Sequence, residues 1–325
     1  MKFSKFFGLF LLTLVVAMFA GCDDGRIKIG ILQYTEHEAL DEAKRGFIDG
    51  LAEAGFVDGE NITILEENPH ANANTMSLQA KKLVRKSDLI LAIATQAANA
   101  VVNEAKKQKK DTPILFTAVT DPVDAKLIAS PEKPGGNVTG TNDMNPIAEQ
   151  ISLVKELLPG AKKLGILYTA SENNSAVQAI IAKEEAEKID LEVTIKTIEG
   201  VNDLQQVAGQ LASGVDALYI PTDNTIAGAM GIVKDVLREK KIPAIVGEPN
   251  IVSAGGSITF GINYYRLGKQ TAEMAVKILR DNINPKDIPS TGLSEFDLVI
   301  NKKELDEIGI VIPQSLLDRA DRIIE

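Results

Sequence analysis

The chain has 325 residues, with 35 Lys and Arg against 45 Asp and Glu and a formal net charge of −10. This length is more than one compact core usually takes, so two lobes are expected. An acidic chain argues against nucleic acid as a partner, because contacts to phosphates need clustered Lys and Arg.

The amino-terminal segment has the pattern of a secretory signal. A short start with two lysines precedes an apolar run over residues 6–20, and the small residues Ala20 and Gly21 stand before Cys22. The run is too short to span a bilayer comfortably, since a spanning helix needs about 20 apolar residues. The segment therefore predicts export of the chain.

The end of this segment resembles the bacterial lipobox, in which the cysteine is lipidated and the preceding peptide is removed. Phe19 stands where the usual pattern has Leu. We predict a signal peptide over residues 1–22 and a lipid on Cys22 that anchors the domain to a bacterial membrane, at its periplasmic face or outer surface. The alternative is an ordinary cleaved signal with an incidental cysteine.

The first half of the remaining chain alternates strands and helices. Strands are predicted at 27–33, 62–65, 88–94, 113–117 and 138–141, and helices at 38–55, 75–84 and 96–107. Short apolar runs predict buried strands, and apolar residues at helical spacing predict the helices. The order indicates a parallel sheet with helices on both faces.

The pattern starts again near Pro146. Helices are predicted at 147–158, 175–188, 201–211, 226–238 and 264–279, and strands at 164–168, 191–198, 217–220, 243–246, 256–262 and 296–300. The fold class is therefore α/β, with two doubly wound, mostly parallel sheets. The predicted lobes are 27–143 plus 261–288 and 144–260 plus 289–325, and 282–292 reads as a linker.

Polar loops follow the strands of both predicted sheets. Ligands of such sheets bind beyond the carboxyl ends of the strands, where helix amino termini offer free N–H groups. The loops are 33–37, 95–96 and 117–121 in the first lobe, and 168–175, 222–224 and 247–250 in the second. Each Ser, Thr or Asp in them could instead be an ordinary helix cap. The case for a site is that all these loops converge on one cleft.

Signatures of enzymes are missing from the sequence. It has no G-x-S-x-G elbow, no phosphate-binding P-loop and no Gly-rich turn after the first strand. Its two histidines, His37 and His70, make a zinc site an unfavoured interpretation. We therefore expect no catalytic residue, no metal and no cofactor.

Several segments together resemble a family of ABC-transporter solute-binding lipoproteins. They are the segments 29–37, 46–55, 94–98, 116–122, 136–143 and 219–224. The resemblance covers nearly all of the chain after the signal. It implies a type I periplasmic-binding-protein fold with two lobes and three crossings between them, and ligands that are amino acids, including aromatic ones.

The resemblance also implies roles for residues in the cleft. In the wider fold, loops of the first lobe hold the ligand carboxylate and an acid of the second lobe meets the ammonium. The matching residues are Thr95, Gln96, Thr117 and Ala118 for the carboxylate, and Asp223 for the ammonium, with Asp143 and Glu248 as rivals. The ligand side chain is expected near Tyr34, Tyr168 or Tyr264. Other candidate contacts are Gln33, Ser171, Asn173, Ser175 and Asn263.

Solute capture for an ABC permease and its ATPase, by a monomer, is thus the first hypothesis. An extracytoplasmic enzyme on the same fold is a second, although no nucleophile or metal cluster supports it. The sensor domain of a transcription regulator is a third, which the secretion signal disfavours. A receptor that feeds a sensor kinase is a fourth, and the sequence does not separate it from transport.

Overall fold

A computed structural model of the chain describes residues 25–325, so the predicted signal peptide and Cys22 lie outside the described residues. The strands form one sheet of five strands and one of seven. Helices lie on the faces of both sheets, which confirms the predicted α/β architecture with two sheets.

The first sheet is wholly parallel, in the order β2-β1-β3-β4-β5. Its strands are β1 (Ile27–Gln33), β2 (Ile62–Glu67), β3 (Leu89–Ile93), β4 (Ile114–Val119) and β5 (Val138–Asn142). The central strands β3 and β4 are buried along their whole length. Such continuous apolar strands are typical of parallel sheets that are covered on both faces.

The second sheet has the order β12-β11-β10-β9-β8-β6-β7. Its strands are β6 (Lys163–Thr169), β7 (Glu192–Ile198), β8 (Ala217–Ile220), β9 (Ala244–Val246), β10 (Ile258–Gly261), β11 (Asp297–Asn301) and β12 (Arg322–Ile324). Only the pair β10–β11 is antiparallel within this described sheet. Two buried apolar clusters lie on its opposite faces.

The described residues form twelve α-helices and one short 3₁₀ helix at Pro285–Asp287. The helices are α1 (Glu38–Glu53), α2 (Ala73–Lys86), α3 (Thr95–Gln108), α4 (Ile147–Leu157), α5 (Asn173–Lys188), α6 (Val201–Ala212), α7 (Asn224–Gly228), α8 (Met230–Lys240), α9 (Pro249–Ala254), α10 (Tyr264–Leu279), α11 (Lys302–Glu307) and α12 (Gln314–Leu317).

Three details differ from the sequence-based prediction. The helix predicted over 226–238 is two helices, α7 and α8, which meet at Ala229. Two glycines, Gly228 and Gly231, flank that break and weaken a continuous helix there. The strand predicted at 256–262 is preceded by the short helix α9, and the predicted linker contains the 3₁₀ helix.

The chain passes between the two sheets three times. It leaves β5 for α4 through residues 143–146, returns from β10 to α10 through residues 262–263, and leaves the 3₁₀ helix for β11 through residues 288–296. The strand β5, which leads into the first crossing, is joined to the third crossing by a bridge between Thr141 and Thr291. The bounds of the two lobes as rigid bodies stay a prediction.

The return of α10 to the first lobe depends on a close approach to α1. A Cβ atom on Gly268 of α10 would lie 2.0 Å from the carbonyl oxygen of Ala43, and one on Gly46 of α1 would lie 2.1 Å from that of Tyr265. Glycine lets the two backbones touch, and this contact fixes the second crossing beside the first sheet.

We expect Gly268→Ala to lower the free energy of unfolding by about 1–3 kcal/mol, because the added methyl group overpacks a backbone contact. Thermal and urea unfolding measure this change. The matched control is Gly209→Ala in α6, where no atom lies within 4 Å of the added Cβ. That variant should gain about 0.4–1 kcal/mol from reduced chain entropy. Equal effects of the two changes would contradict the close contact.

Candidate functional site

The carboxyl ends of β1–β5 and of β6–β10 face one cleft between the lobes. Hydrogen bonds cross this cleft from His37 Nε2 to Asn224 Oδ1 (3.0 Å) and from Gln96 Nε2 to Asn174 Oδ1 (3.1 Å). A third runs from Asn173 to Asp124, at 2.6 Å. The lobes are therefore closed on each other, and side chains from both line the same space.

Gln33 and Tyr34 end the first strand and are both buried at this cleft. The amide nitrogen of Gln33 donates to the Thr35 carbonyl (2.8 Å) and to Asp41 Oδ1 (2.7 Å), which fixes the orientation of the amide. Its oxygen Oε1 has no donor. Gln33 thus presents a buried acceptor without a partner.

The amino terminus of α3 is built for an acceptor that the described protein does not supply. Ala94, the residue before the helix, has φ of +82° and provides no side-chain cap. A positive φ is uncommon for a residue with a Cβ and is found most often where function requires it. The first N–H groups of the helix, at Thr95 and Gln96, are left for an external acceptor.

A second irregularity lies on the neighbouring strand. The register of β4 and β5 shifts between Phe116 and Val119, and Ala118 has φ of +54°. The Thr117 hydroxyl accepts a hydrogen bond from that of Thr141 at 3.0 Å, so it is occupied within the first lobe. The Thr117 carbonyl accepts from the backbone of Ala94 at 3.0 Å, so the Ala118 backbone, in the register shift, is what this strand end offers to a ligand.

Asp143 lies on the first crossing and is 2% exposed. Its Oδ2 accepts a hydrogen bond of 2.7 Å from the hydroxyl of Tyr264, which starts the helix after the second crossing. Its Oδ1 has no donor in hydrogen-bond geometry, although the Thr120 hydroxyl is close enough to favour the ionised form. Asp143 therefore joins two crossings and still has one buried oxygen to offer.

Asp223, the acid first expected to meet an ammonium, is fully engaged within the second lobe. Its oxygens accept from the Thr169 backbone (2.7 Å), the Thr169 hydroxyl (2.8 Å) and the Ile226 backbone (2.9 Å). It caps α7 in the usual manner of aspartate at a helix start. Burial, and then the charges of Glu172 and Asp223, raise the pKa of Tyr34 to about 12.

Glu172 is a buried acid that the sequence-based selection of site residues missed. It accepts hydrogen bonds from the backbone and side chains of Asn224 and Thr225, at 2.7–3.0 Å. Asn224 in turn contacts His37 of the first lobe. The sequence did contain a signal for Glu172, since it lies in the polar loop 168–175 between the candidates Ser171 and Asn173.

Glu248 and Asn263 cap the helices α9 and α10. Glu248 is 1% exposed and accepts from the backbone of Asn250 (2.7 Å) and Ile251 (3.1 Å). Asn263 lies on the second crossing and accepts from the backbone of Arg266 at 3.0 Å. Both side chains are thus occupied by capping bonds at the edge of the cleft.

The remaining candidates of the second lobe lie at different depths. Ser171 and Asn173 are exposed, and Tyr168 is half-buried against the core of the second lobe. Ser175 is buried, and its hydroxyl donates to the Thr222 carbonyl at 3.0 Å. Only Asn173 of these four makes a contact across the cleft, to Asp124.

Four buried carboxylates therefore surround the cleft, and none of them forms an ion pair with a residue of 25–325. They are Asp143, Glu172, Asp223 and Glu248. Burial raises the pKa of Glu248 to about 8 and also raises that of Asp143. Burial and the charge of Glu172 raise the pKa of Asp223. The site is built to receive positive charge.

Among the buried atoms without a partner, two further amide oxygens lie at the cleft: Oε1 of Gln33 and Oε1 of Gln96. The Gln96 amide is oriented by its bond to Asn174, whose own nitrogen donates to the Thr222 carbonyl at 3.0 Å. Unpaired buried acceptors are rare and costly in folded proteins. Together with Asp143 Oδ1 they call for a ligand that donates hydrogen bonds.

The described part of the chain has neither a cluster of metal ligands nor a membrane-spanning helix. No group of three or more His, Cys, Asp or Glu residues is arranged to hold a metal ion within residues 25–325. No helix there has the length and apolarity needed to cross a membrane.

Comparison with known proteins identifies the family. The family model of ABC transporter substrate-binding proteins matches residues 28–324. The chain therefore belongs to the ABC transporter substrate-binding proteins, a family of extracytoplasmic solute-binding proteins rather than of enzymes.

Individual relatives cover nearly the whole domain. A tyrosine-binding protein of Clostridioides difficile is 42% identical over 283 residues, which is 87% of this chain and 81% of the relative. A structure in complex with L-Trp from Streptococcus pneumonia is 37% identical, with a TM-score of 0.87 over 92% of this chain and 100% of the other. These neighbours share the type I periplasmic-binding-protein fold, as the sequence predicted.

The conformation resembles the ligand-bound relative more than an open one. A ligand-free, open structure of a substrate-binding protein from Clostridium difficile is 40% identical but has a TM-score of only 0.70, over 92% of this chain and 99% of the other. The L-Trp complex has lower identity and a higher TM-score. The difference agrees with the hydrogen bonds that close the cleft in this structure.

The raised pKa of Glu248 predicts that the ligand-free protein loses stability as pH rises. Its ordinary value is 4.5 and its folded value is about 8. Between these values the folded state holds a proton that the unfolded chain has released, so the free energy of unfolding falls with rising pH. Thermal unfolding at pH 5 to 8 should show this fall, and Glu248→Gln should make it shallower.

The control for this prediction is Glu60→Gln, which removes an exposed carboxylate of the first lobe. It should leave the pH profile of the melting temperature unchanged. A Glu248→Gln profile parallel to that of the unmodified protein would contradict the assignment of the raised pKa to Glu248.

Proposed function

We propose that this chain captures a free amino acid with an aromatic side chain and delivers it to an ABC permease and its ATPase. The observation that carries the proposal is the buried Oδ1 of Asp143, an acceptor without a donor in a closed cleft whose acids have no ion pair within residues 25–325. An ammonium group supplies both a positive charge and several N–H donors.

Asp143 is the acid proposed to receive the ammonium. Asp223 and Glu248 are less suited to bind the ammonium, because their oxygens already accept hydrogen bonds within the second lobe. The charge of Asp223, when ionised, adds to the negative potential of the cleft without a direct bond, whereas Glu248 holds a proton below about pH 8. Gln33 and Gln96 offer further acceptors to the same group.

The ligand carboxylate is proposed to bind at the amino terminus of α3. Free N–H groups at a helix start attract anions, and the positive φ of Ala94 and Ala118 exposes backbone at two neighbouring strand ends. No arginine is required in this arrangement. The carboxylate is thus held by the first lobe, beside Thr95 and Gln96.

An aromatic side chain is supported by the relatives, one named for tyrosine and one solved with L-Trp. In this chain, Tyr34 is the aromatic residue proposed to meet it, since its ring lies at the cleft and is 9% exposed. Tyr264 is occupied by its bond to Asp143, and Tyr168 packs against the core of the second lobe.

The domain is proposed to act as a monomer that a lipid on Cys22 tethers to the membrane. The support is the sequence pattern of residues 1–22 alone. A receptor that reports the same ligand to a sensor kinase is the second candidate, because ligand capture would use the same cleft. An operon that encodes a permease and an ATPase would favour transport.

Titration calorimetry with L-Trp, L-Tyr and L-Phe tests the ligand class. We expect Asp143→Asn to weaken binding by about 2–5 kcal/mol, as for loss of one partner of a buried charge pair. The asparagine keeps an oxygen that can accept from the Tyr264 hydroxyl, so the hydrogen bond between the first crossing and α10 is kept. Asp223→Asn should affect the melting temperature more than the affinity, because it alters a helix cap.

A ligand without the ammonium provides the matched control. Indole-3-propionate should bind the unmodified protein and Asp143→Asn equally weakly, because the group that Asp143 recognises is absent. Loss of affinity in Asp223→Asn with none in Asp143→Asn would return the ammonium to Asp223. Tight binding of a sugar without any amino-acid binding would contradict the proposed function.

The lipid anchor has its own test. Cys22→Ser should leave folding and ligand affinity unchanged, because residues 23–325 contain no cysteine and no disulfide depends on that thiol. The variant should lose metabolic labelling with fatty acid and appear in the soluble fraction or as unprocessed precursor. Lipid labelling that persists in Cys22→Ser would contradict anchoring through this residue.

A further inference from the structure

A basic groove lies on the first lobe at the edge opposite the cleft. The groove has a volume of about 1080 Å³, and its walls include Arg26, Lys28, Arg85, Lys86 and Lys110. It follows the amino ends of β1 and β3 and the carboxyl ends of α2 and α3. We call this surface, defined by those five residues, the basic groove.

The charge of this groove is opposite to that of the chain. Five cationic side chains line it against one carboxylate, that of Asp88. Asp88 Oδ2 already accepts from the backbone N–H of Lys28 at 2.8 Å. The whole chain has a formal charge of −10. A local excess of positive charge on an acidic protein is a signal for an anionic partner.

Helix dipoles explain only part of this excess. Arg85 and Lys86 lie in the last turn of α2, where cations are commonly favourable. Lys110 lies beyond the end of α3, and Arg26 and Lys28 belong to the segment that enters the fold at β1. Three separate segments thus bring cations to one groove.

The amino-terminal end of the described chain lies in the same place. Gly25 is itself part of the wall of the basic groove, and Cys22 precedes it by three residues in the sequence. Three residues span at most about 11 Å when fully extended. A lipid on Cys22 would therefore hold the basic groove within reach of the lipid headgroups.

We propose that the basic groove is a membrane-docking surface that binds the headgroups of anionic phospholipids. The inference rests on the lipid anchor proposed above, and it adds an orientation to it. The first lobe then faces the bilayer through its basic edge, and the cleft opens at the opposite edge of the same sheet. A diacylated cysteine would anchor the domain by itself, and a basic surface beside it would strengthen attachment about fivefold, or ~1 kcal/mol, per basic residue and fix the orientation of the domain.

The test uses residues 23–325, which contain both sheets and all three described cores, without Cys22. Binding is measured by co-sedimentation with vesicles of phosphatidylcholine alone and of phosphatidylcholine with phosphatidylglycerol. We expect binding only to the anionic vesicles, and weaker binding as salt rises to about 0.15 M, where the Debye length is ~8 Å.

The diagnostic variant combines Arg85→Glu, Lys86→Glu and Lys110→Glu. It should bind anionic vesicles at least roughly tenfold more weakly, because each basic residue near such a surface contributes about fivefold, or ~1 kcal/mol. The control makes the same change of charge on the second lobe, with Lys196→Glu, Lys241→Glu and Lys303→Glu, all exposed positions. The control should bind at most a few-fold more weakly, because it carries the same more negative net charge but keeps the basic groove. Calorimetry with L-Trp checks that both variants keep their ligand affinity.

Four outcomes would overturn the proposal. The protein could fail to bind anionic vesicles, bind neutral vesicles equally well, or lose binding equally in both triple variants. The fourth is that inorganic phosphate binds in the groove and displaces the vesicles. These outcomes are separate from failure of the anchor, because the protein tested has no Cys22. If Cys22→Ser leaves the full chain lipidated while residues 23–325 bind anionic vesicles, the anchor proposal fails and the docking surface stands.

Discussion

The structure depends on burying four carboxylates in a cleft without an ion pair among the described residues. Isolated buried charge is costly, and the protein reduces this cost by surrounding three of the acids with backbone N–H and hydroxyl donors. Asp143 is the exception, because one of its oxygens has no donor. Among these four acids, Asp143 alone keeps an unpaired oxygen, and a donor with positive charge would pair with it.

The same acid connects binding to movement. Asp143 lies on one crossing and Tyr264 begins the helix after another, so their hydrogen bond joins the two segments about which the lobes would turn. Asn145 adds a second bond between these crossings, to the Ile262 backbone at 3.0 Å. A ligand that contacts Asp143 thus acts directly on the hinge. Bonds such as His37–Asn224 then form only when the lobes meet, and they favour the closed state.

Much of the fold could be predicted from the sequence, because buried parallel strands and amphipathic helices leave regular patterns. The helix 264–279 was predicted to the residue. The site was harder, since capping and ligand binding use the same residue types. Asp223 and Asn263 are of residue types that commonly cap helices and are caps, and Glu248 is a cap although glutamate is not a preferred one. Nothing in one sequence distinguishes them from Asp143, whose importance comes from its place on a crossing.

The strained backbone of the first lobe was also invisible to sequence patterns. Alanine at positions 94 and 118 gives no warning of positive φ, which glycine would have given. A protein that needs such geometry only for packing could use glycine at both positions. Alanine at these positions costs conformational energy, so the surrounding sheet must hold the strained backbone in place. Two such residues at adjacent strand ends, beside an uncapped helix, are best explained by N–H groups aimed at a ligand. In the proposed function, the acids and these N–H groups are the two poles of one site, opposite in charge and matched to a zwitterion.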